Sequence, residues 1–503
     1  MLPVLAVFDL VFAVLIRRRF GLFSGLYDVL MGLMKSVLQY SALGIPTSLT
    51  KLLTDVGATR GASGLRQFLW RAALVRFVAL SGCLVGLWLF GGPLVVQLQL
   101  GADGVLYLQL VAGLIVARAG IELAAKVLNT FFAQVWTNGL ALLEAALDIV
   151  LAATALFLGY EMVGVLSALA MSAGLVATIS IGCVVVRVRN IDERGFEERG
   201  RALAEADDSL APRVRFTLFT YVFELSLLFV GMGFAAPALA IVLSPEDVAL
   251  FAIAFKLSIM SVGLVVTGFR GLYRPLFARL RLRDDLEQVQ RAFNAVAKAQ
   301  LVLLLPVGIG LVVMCGDYIP LLFGVEFLPA VQISWVLVTF MYAETAFNLP
   351  VIILSVDEQY RAVFVSQSVM ILAAPLFLLA AATLGLVGAG AVFGVARLAS
   401  ALCAYAYCRT RYGLRFPWSF AGRVARVSLP MGGLLACARL FVATSVLEAV
   451  ALTVVGVITF AVGMRMTRML TTEEADVFRR SSVPGHALML SVLAPHLATG
   501  ADG

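Results

Sequence analysis

The chain has 503 residues, of which 61% are hydrophobic and only 14% are charged, and its mean hydropathy is +0.98. Soluble domains are about 45–50% apolar and about 25% charged, so this composition excludes a soluble enzyme, a nucleic-acid-binding protein and a disordered scaffold. The formal net charge of +7 is expected to report membrane topology, because basic residues concentrate in loops on the cytoplasmic side.

Apolar segments long enough to cross a bilayer follow one another along the whole chain. A transmembrane helix needs about 20 predominantly apolar residues, and a helix satisfies its own backbone amides in lipid. The sequence therefore predicts an all-α polytopic membrane protein. Its fourteen predicted spans are at about 2–16, 24–50, 72–97, 104–128, 137–158, 163–186, 216–243, 248–273, 297–322, 328–355, 362–384, 387–408, 427–445 and 447–464.

Lysine and arginine are distributed unevenly between the predicted connections. The connections on one side hold 29 of the 38 basic residues, and they are 51–76, 187–215, 270–298, 357–361, 409–426 and 465–480. The connections on the other side hold none, and they are 98–103, 159–162, 244–247, 323–327 and 385–386. We therefore predict a multi-pass membrane protein with both termini in the cytoplasm. The cluster Arg17–Arg19 departs from this rule, since it follows the first span on the outer side.

Weak internal similarity predicts a duplicated six-helix unit. Glu122 and Glu344, for example, are 222 residues apart, and Gly164 and Gly388 are 224 apart. Two six-helix copies share one orientation, as in transporters built from parallel repeats. The predicted organisation is an N-terminal six-helix lobe, a charged cytoplasmic linker, a C-terminal six-helix lobe, two additional transmembrane helices and a cytoplasmic tail, at 1–186, 187–215, 216–408, 409–466 and 467–503.

Three segments resemble those of a known family. They are Leu15–Phe23 (LIRRRFGLF), Leu322–Val331 (LFGVEFLPAV) and Gly385–Gly390 (GLVGAG). In these segments and in its 6+6+2 plan the chain resembles the polysaccharide-transport, Wzx-type flippases of the multidrug/oligosaccharidyl-lipid/polysaccharide (MOP) exporter superfamily. The resemblance implies the fold of MATE and MurJ transporters.

The resemblance also implies a function without catalysis. Such proteins move an undecaprenyl-pyrophosphate-linked repeat unit across the bacterial inner membrane by alternating access, and that membrane is the location that the resemblance implies for this chain. The implied partners are the polyprenyl-pyrophosphate-linked oligosaccharide, membrane lipid and a polysaccharide polymerase, with no cofactor. The sequence has no Gly-x-x-x-x-Gly-Lys-Ser/Thr phosphate loop, as expected for a transporter without an ATPase domain.

Basic residues inside spans predict a substrate site. In the second span Asp28, Lys35 and Gln39 share one helix face, and in the eighth span Lys256 and Arg270 share another. A charge at membrane depth is costly and usually faces a cavity, and arginine binds phosphate oxygens bidentately. The predicted cationic, substrate-binding residues are Arg17, Arg18, Arg19, Lys35, Lys256 and Arg270. Alternatively, Arg270 is a cytoplasmic flank residue, and Arg17–Arg19 mark a misassigned first span or an outer-leaflet contact.

Acidic residues inside spans predict a possible proton or Na⁺ site. Glu144 and Asp148 are four residues apart, so each would disfavour ionisation of the other. The predicted ion-coupling carboxylates are Asp28, Glu144, Asp148 and Glu224. The alternative for Glu144 and Asp148 is pairing with Arg118 or Lys126, although we expect Arg118, Glu122 and Lys126 to form an ion-pair ladder along one helix.

Other features of the sequence are interpreted as structural. Glu344 and Arg397 have no partner that the sequence identifies. Gly390 and Gly394 form a small-xxx-small pair, which predicts close helix packing. No cysteine pair has metal-site spacing, and no metal is predicted.

Two other functions remain open from the sequence. A cation-coupled drug or metabolite antiporter of the same superfamily would need a cavity dominated by carboxylates. A polytopic polysaccharide polymerase would need acidic catalytic residues or sizeable outer loops, whereas the predicted outer loops are only a few residues long.

Overall fold

In the computed structural model of the protein, the residues described are 2–131, 133–189, 210–281, 286–357, 359–441, 445–467, 475 and 479. Sixteen α-helices lie in this part of the chain. They are α1 (Leu2–Phe20), α2 (Ser24–Ala42), α3 (Ile45–Leu89), α4 (Gly91–Gln97), α5 (Gly104–Thr130), α6 (Gln134–Phe157), α7 (Met162–Arg189), α8 (Leu210–Leu228), α9 (Met232–Val242), α10 (Pro245–Arg281), α11 (Leu286–Leu322), α12 (Ala330–Ala346), α13 (Leu349–Val356), α14 (Tyr360–Tyr412), α15 (Trp418–Arg439) and α16 (Val446–Thr467).

Most predicted spans correspond to one helix, one part of a helix or a bent pair of helices. Eight of the described helices are long and apolar enough to cross a membrane, and ten spans result if the bent pairs α8–α9 (47°) and α12–α13 (41°) each count as one. Helix α14 contains two predicted spans, because Gly385 interrupts it with φ 66° and ψ −158°. The predicted all-α polytopic membrane fold is confirmed.

The second predicted span, 24–50, is wrong at its end, because the chain breaks between α2 and α3. Leu43 and Gly44 have positive φ values of 50° and 69°. A Cβ on Gly44 would meet the carbonyl oxygen of Thr217 and the backbone nitrogen of Tyr221. A glycine is therefore required here both for its backbone conformation and for the close approach of α8.

The left-handed conformation alone costs a residue with a side chain about 1–3 kcal/mol. The Gly44→Ala variant is expected to be destabilised by more than this, because its Cβ would also meet the backbone of α8. Gly413→Ala is the matched control, because Gly413 also has φ 69° but no atom lies within 4 Å of the position that a Cβ would take. Thermal unfolding of both variants in detergent measures the difference. Equal losses of stability would show that the contact with α8 contributes nothing.

The chain divides into two compact units, Met1–Val248 and Ala249–Gly503. In the first unit α7 packs against α5 and α6, and α2 packs against α3 and α9. In the second unit α11 packs against α12, α15 and α16, and α14 packs against α12 and α13. The seventh predicted span, which is α8 and α9, contacts α2 and α3 inside the first unit. The predicted linker 187–215 and tail 467–503 lie largely outside the described residues, so those boundaries stay predictions.

Candidate substrate and ion site

The corner between α1 and α2 holds a buried ion pair. Arg17, at the end of α1, is only 4% exposed and pairs with the carboxylate of Asp28. It also donates a hydrogen bond from Nη1 to Oγ of Ser24 at 2.5 Å. Arg18 and Arg19 are exposed. The structure thus divides the predicted arginine cluster, because Asp28 neutralises Arg17 while the next two side chains lie at the surface.

A second group of charges joins α5, α6 and α7. Arg118 lies 2.9 Å from a carboxylate oxygen of Glu144 and 3.2 Å from one of Asp148. Ser172 donates its hydroxyl to the other oxygen of Asp148. The alternative in which Glu144 and Asp148 pair with Arg118 is therefore present in the structure. One guanidinium serves two carboxylates, which leaves an excess negative charge when both are ionised.

Tyr27 connects these two groups. It interacts electrostatically with Arg17 and Asp28 of the first group and with Arg118 and Asp148 of the second. Both groups lie in the first unit, so three of the four predicted ion-coupling carboxylates belong to one site.

Lys35 adds an exposed cation to this site. Its side chain lies on α2, is exposed and interacts electrostatically with Asp9, Asp28 and Arg118. None of the ion pairs found in the described part of the chain includes it. We call the following residues the unit-1 charge cluster: Asp9, Arg17, Tyr27, Asp28, Lys35, Arg118, Glu144, Asp148 and Ser172.

The unit-1 charge cluster is mixed in sign, whereas the sequence predicts a mainly basic site. Three cations face four carboxylates in it. The difference arises because α6 contributes Glu144 and Asp148 to the same place as the basic residues of α1 and α2. The sequence pattern of a single helix does not show that residues of α1, α2 and α6 lie close together.

Glu224 lies apart from the other predicted ion-coupling carboxylates. It is 9% exposed on α8, and its Oε1 accepts a hydrogen bond from the hydroxyl of Thr47. Its Oε2 is buried without a hydrogen-bond partner. Its electrostatic neighbours are Arg76, Glu122 and Lys126, so the structure does not bring it together with Glu144 and Asp148.

The predicted ladder of Arg118, Glu122 and Lys126 is wrong. Glu122 instead forms a 2.5 Å ion pair with Arg76 of α3, while Arg118 turns to α6. Helix α3 packs against α5 and brings a guanidinium that is only 3% exposed. Sequence reasoning misses Arg76 because it counts this residue with a cytoplasmic connection, although it lies inside an apolar run.

The second unit contains two further ion pairs among its described residues. Arg397 of α14 lies 2.8 Å from a carboxylate oxygen of Glu344 on α12. Arg439 of α15 lies 2.7 Å from Asp317 on α11 and donates a hydrogen bond to the carbonyl of Val313. Glu344 corresponds to Glu122 in the predicted repeat, and each of the two binds an arginine from another helix.

The predicted stripe of the eighth span is described only in part. Lys256 is half-buried on α10. The side chain of Arg270 lies outside the described residues. Among the described residues no group of three or more His, Cys, Asp or Glu side chains has the geometry of a metal site.

Comparisons with known proteins agree with this architecture. Residues 238–332 match the family described as "Polysaccharide biosynthesis protein". The structure is similar to the lipid II flippase MurJ in an inward closed conformation, with a TM-score of 0.65 and 12% identity over 92% of this chain and 96% of that one. The fold is that of the MOP transporters. It is also similar to an inward-facing multidrug resistance MATE family transporter of the MOP superfamily, with a TM-score of 0.63 and 14% identity over 81% of this chain and 94% of that one.

No curated protein matches the chain by sequence. The predicted resemblance to the MOP transporters is nevertheless confirmed at the level of the fold. One of the three segments on which it rests, Leu322–Val331, lies inside the matched range 238–332. The chain is therefore a multi-pass membrane protein whose fold is similar to that of the MurJ and MATE transporters. Which of its charged residues bind substrate or ions stays a prediction.

Proposed function

We propose that the chain is a flippase that moves an undecaprenyl-pyrophosphate-linked polysaccharide repeat unit across the bacterial inner membrane by alternating access. The observation that carries the proposal is the match to a polysaccharide biosynthesis family in a chain that has the MOP fold. The proposed orientation places both termini in the cytoplasm, and a polysaccharide polymerase is the proposed consumer of the product.

The unit-1 charge cluster supports the binding of a pyrophosphate. Lys35 is exposed and in no described ion pair, and Arg118 is 32% exposed. A pyrophosphate can accept charge-assisted hydrogen bonds from both. On this proposal Arg18 and Arg19 attract the head group from the surface, and Lys256 stays a predicted substrate-binding residue of the second unit.

The carboxylates of the unit-1 charge cluster compete with a bound head group for Arg118. Glu144 and Asp148 share Arg118 with one another, so a pyrophosphate that engages Arg118 must displace part of that pairing. Release of the head group restores the ion pairs. This exchange lets the protein bind a pyrophosphate without holding it permanently.

A cation-coupled antiporter of the same superfamily is the second candidate. The observation that favours it is the excess of carboxylates over arginine beside Ser172, since an unbalanced carboxylate is suited to a proton or Na⁺.

The deciding experiment uses a strain that lacks the gene and follows labelled lipid-linked oligosaccharide. The proposal expects complete repeat units to accumulate on the cytoplasmic side of the inner membrane, with loss of surface polymer. Complete units on the periplasmic side would instead indicate a polymerase. Unchanged lipid-linked sugar would contradict both and leave the antiporter.

A further inference from the structure

A cleft opens in the first unit where α3 is interrupted. Gly61 has φ 68° and ψ −165° inside this helix and divides it into the parts 45–60 and 62–89. The cleft has a volume of about 530 Å³, and both parts of α3 and helix α8 line it. Small-molecule sites occupy roughly 300–1,000 Å³, so the cleft has the size of a ligand site. It lies outside the unit-1 charge cluster, with which it shares no residue.

The two parts of α3 present different chemistry to this cleft. The first part contributes an apolar face of Ile45, Leu49, Leu52 and Val56 at helical spacing. The second part contributes Arg71, which is the one charged residue among the described residues that line the cleft. Its side chain is exposed.

Arg71 has no counter-charge in the described part of the chain. None of the described ion pairs includes it, in contrast to Arg17, Arg76, Arg118 and Arg397. Those four arginines each contact a carboxylate. A guanidinium beside an apolar cleft without a carboxylate is suited to an external anion, and phosphate matches its paired N–H donors.

The surface around the cleft is apolar and exposed. Trp70 is 71% exposed, Leu218 is 60% exposed and Val75 is 50% exposed. Tryptophan and arginine side by side are typical of the level at which lipid head groups meet acyl chains. The helix part that begins at Gly61 is long and apolar enough to cross a membrane, and residues 70 and 71 lie in its first half, next to the end that the predicted topology places in the cytoplasm, where the leaflet carries anionic lipid.

The wall that α8 contributes is fixed to the rest of the unit. Tyr221 donates its hydroxyl to the carbonyl of Tyr40 at 3.1 Å, and the absence of a side chain on Gly44 lets α8 approach the α2–α3 turn. The cleft is therefore preformed, which lowers the cost of ordering it around a ligand.

We propose that this cleft binds an anionic phospholipid of the cytoplasmic leaflet, with its phosphate on Arg71 and one acyl chain along the apolar face of 45–56. A zwitterionic lipid carries its own cation beside the phosphate and gains less from a single guanidinium. The bound lipid fills the gap that the interruption at Gly61 leaves between the two parts of α3. The inference does not depend on which substrate the protein transports.

The test uses the full chain in nanodiscs that contain a phosphatidylglycerol with a photoreactive group in one acyl chain. After illumination, peptide mapping is expected to find cross-links in 45–75 and 217–221. Arg71→Ala is expected to lower this labelling about fivefold, in line with the contribution of one basic residue near an anionic surface. Arg66→Ala is the matched control, since Arg66 is exposed on the same helix outside the cleft, and it should label as the wild type does.

A second variant tests the shape of the site. Ala72→Phe fills the cleft without changing its charge and is expected to reduce labelling as well, with abundance and size-exclusion elution unchanged. Equal labelling of wild type and Arg71→Ala would overturn the proposal, as would equal labelling by a photoreactive phosphatidylcholine. Displacement of the probe by undecaprenyl phosphate but not by excess phosphatidylglycerol would also overturn it and assign the cleft to a polyprenyl lipid.

Discussion

Replacing Arg397 with methionine is expected to lower the free energy of unfolding by about 3–5 kcal/mol, because Glu344 then stays buried without its counter-charge. The side chains of Arg397 and Glu344 are only 9% and 13% exposed, so water cannot substitute for the lost partner. Glu344→Met is expected to cost a similar amount by removing the carboxylate that compensates the charge of the guanidinium. The double variant should recover most of the stability, since removal of both charges removes the cost of burying either one.

The packing of α12 against α14 fixes the positions of Arg397 and Glu344 relative to one another. Gly394 lies against the side chain of Phe340, where a Cβ would meet Phe340 at 2.6 Å, and Arg397 and Glu344 follow one turn later on the two helices. The small-xxx-small pair Gly390 and Gly394 therefore packs closely, as its spacing predicts. The close approach holds the guanidinium and the carboxylate in register.

The measurement is a detergent–SDS unfolding titration of the four proteins in the double-mutant cycle. Arg409→Met is the control, because Arg409 is an exposed arginine on the same helix and its replacement should change stability by less than about 0.5 kcal/mol. Losses below about 1 kcal/mol in both single variants would mean that the pair behaves as an exposed one.

The helices are predictable from the sequence because most are long and apolar enough to be recognised alone. The positions at which the helices are interrupted are harder to predict from the sequence. Hydropathy extends the second span to residue 50 because 43–50 carry no charge, and it passes over Gly44 and Pro46, which are a local signal of a helix end. What this signal does not show is the close approach of α8 to Gly44, a helix that comes much later in the chain. Hydropathy cannot report such a contact.

The ion pairs show that the spacing of charged residues, like hydropathy, does not predict contacts between helices. Sequence spacing favours pairing of Glu122 within its own helix, but Arg76 of α3 is the partner in the structure. The choice depends on which helices become neighbours, and spacing along one helix carries no information about that. The weak repeat does contain a usable signal, since Glu122 and Glu344 each bind an arginine from another helix.

Replacing Lys35 with alanine is expected to reduce transport about tenfold to a hundredfold while leaving the amount of protein in the membrane unchanged. A hydrogen bond to a charged group contributes about 1.5–3 kcal/mol, and a factor of ten corresponds to about 1.4 kcal/mol. Lys35 is exposed and makes no ion pair with a described carboxylate, so its removal leaves no buried charge behind. Lys35→Arg should retain most of the activity, because it keeps the positive charge.

Arg17→Ala is expected to lower the amount of protein, whereas Lys35→Ala lowers transport. The two variants differ in this way although both residues are basic and lie on neighbouring helices, α1 and α2. Arg17 is buried and compensates Asp28, so its loss should lower stability by about 3–5 kcal/mol and the protein should disappear from the membrane. Complementation of surface polysaccharide in the deletion strain, with immunoblots of membrane fractions, separates the two effects. Arg187→Ala is the control, since Arg187 is exposed at the end of α7. Normal polymer at normal abundance in Lys35→Ala would remove Lys35 from the substrate site, and loss of Lys35→Ala protein would show that this lysine is structural.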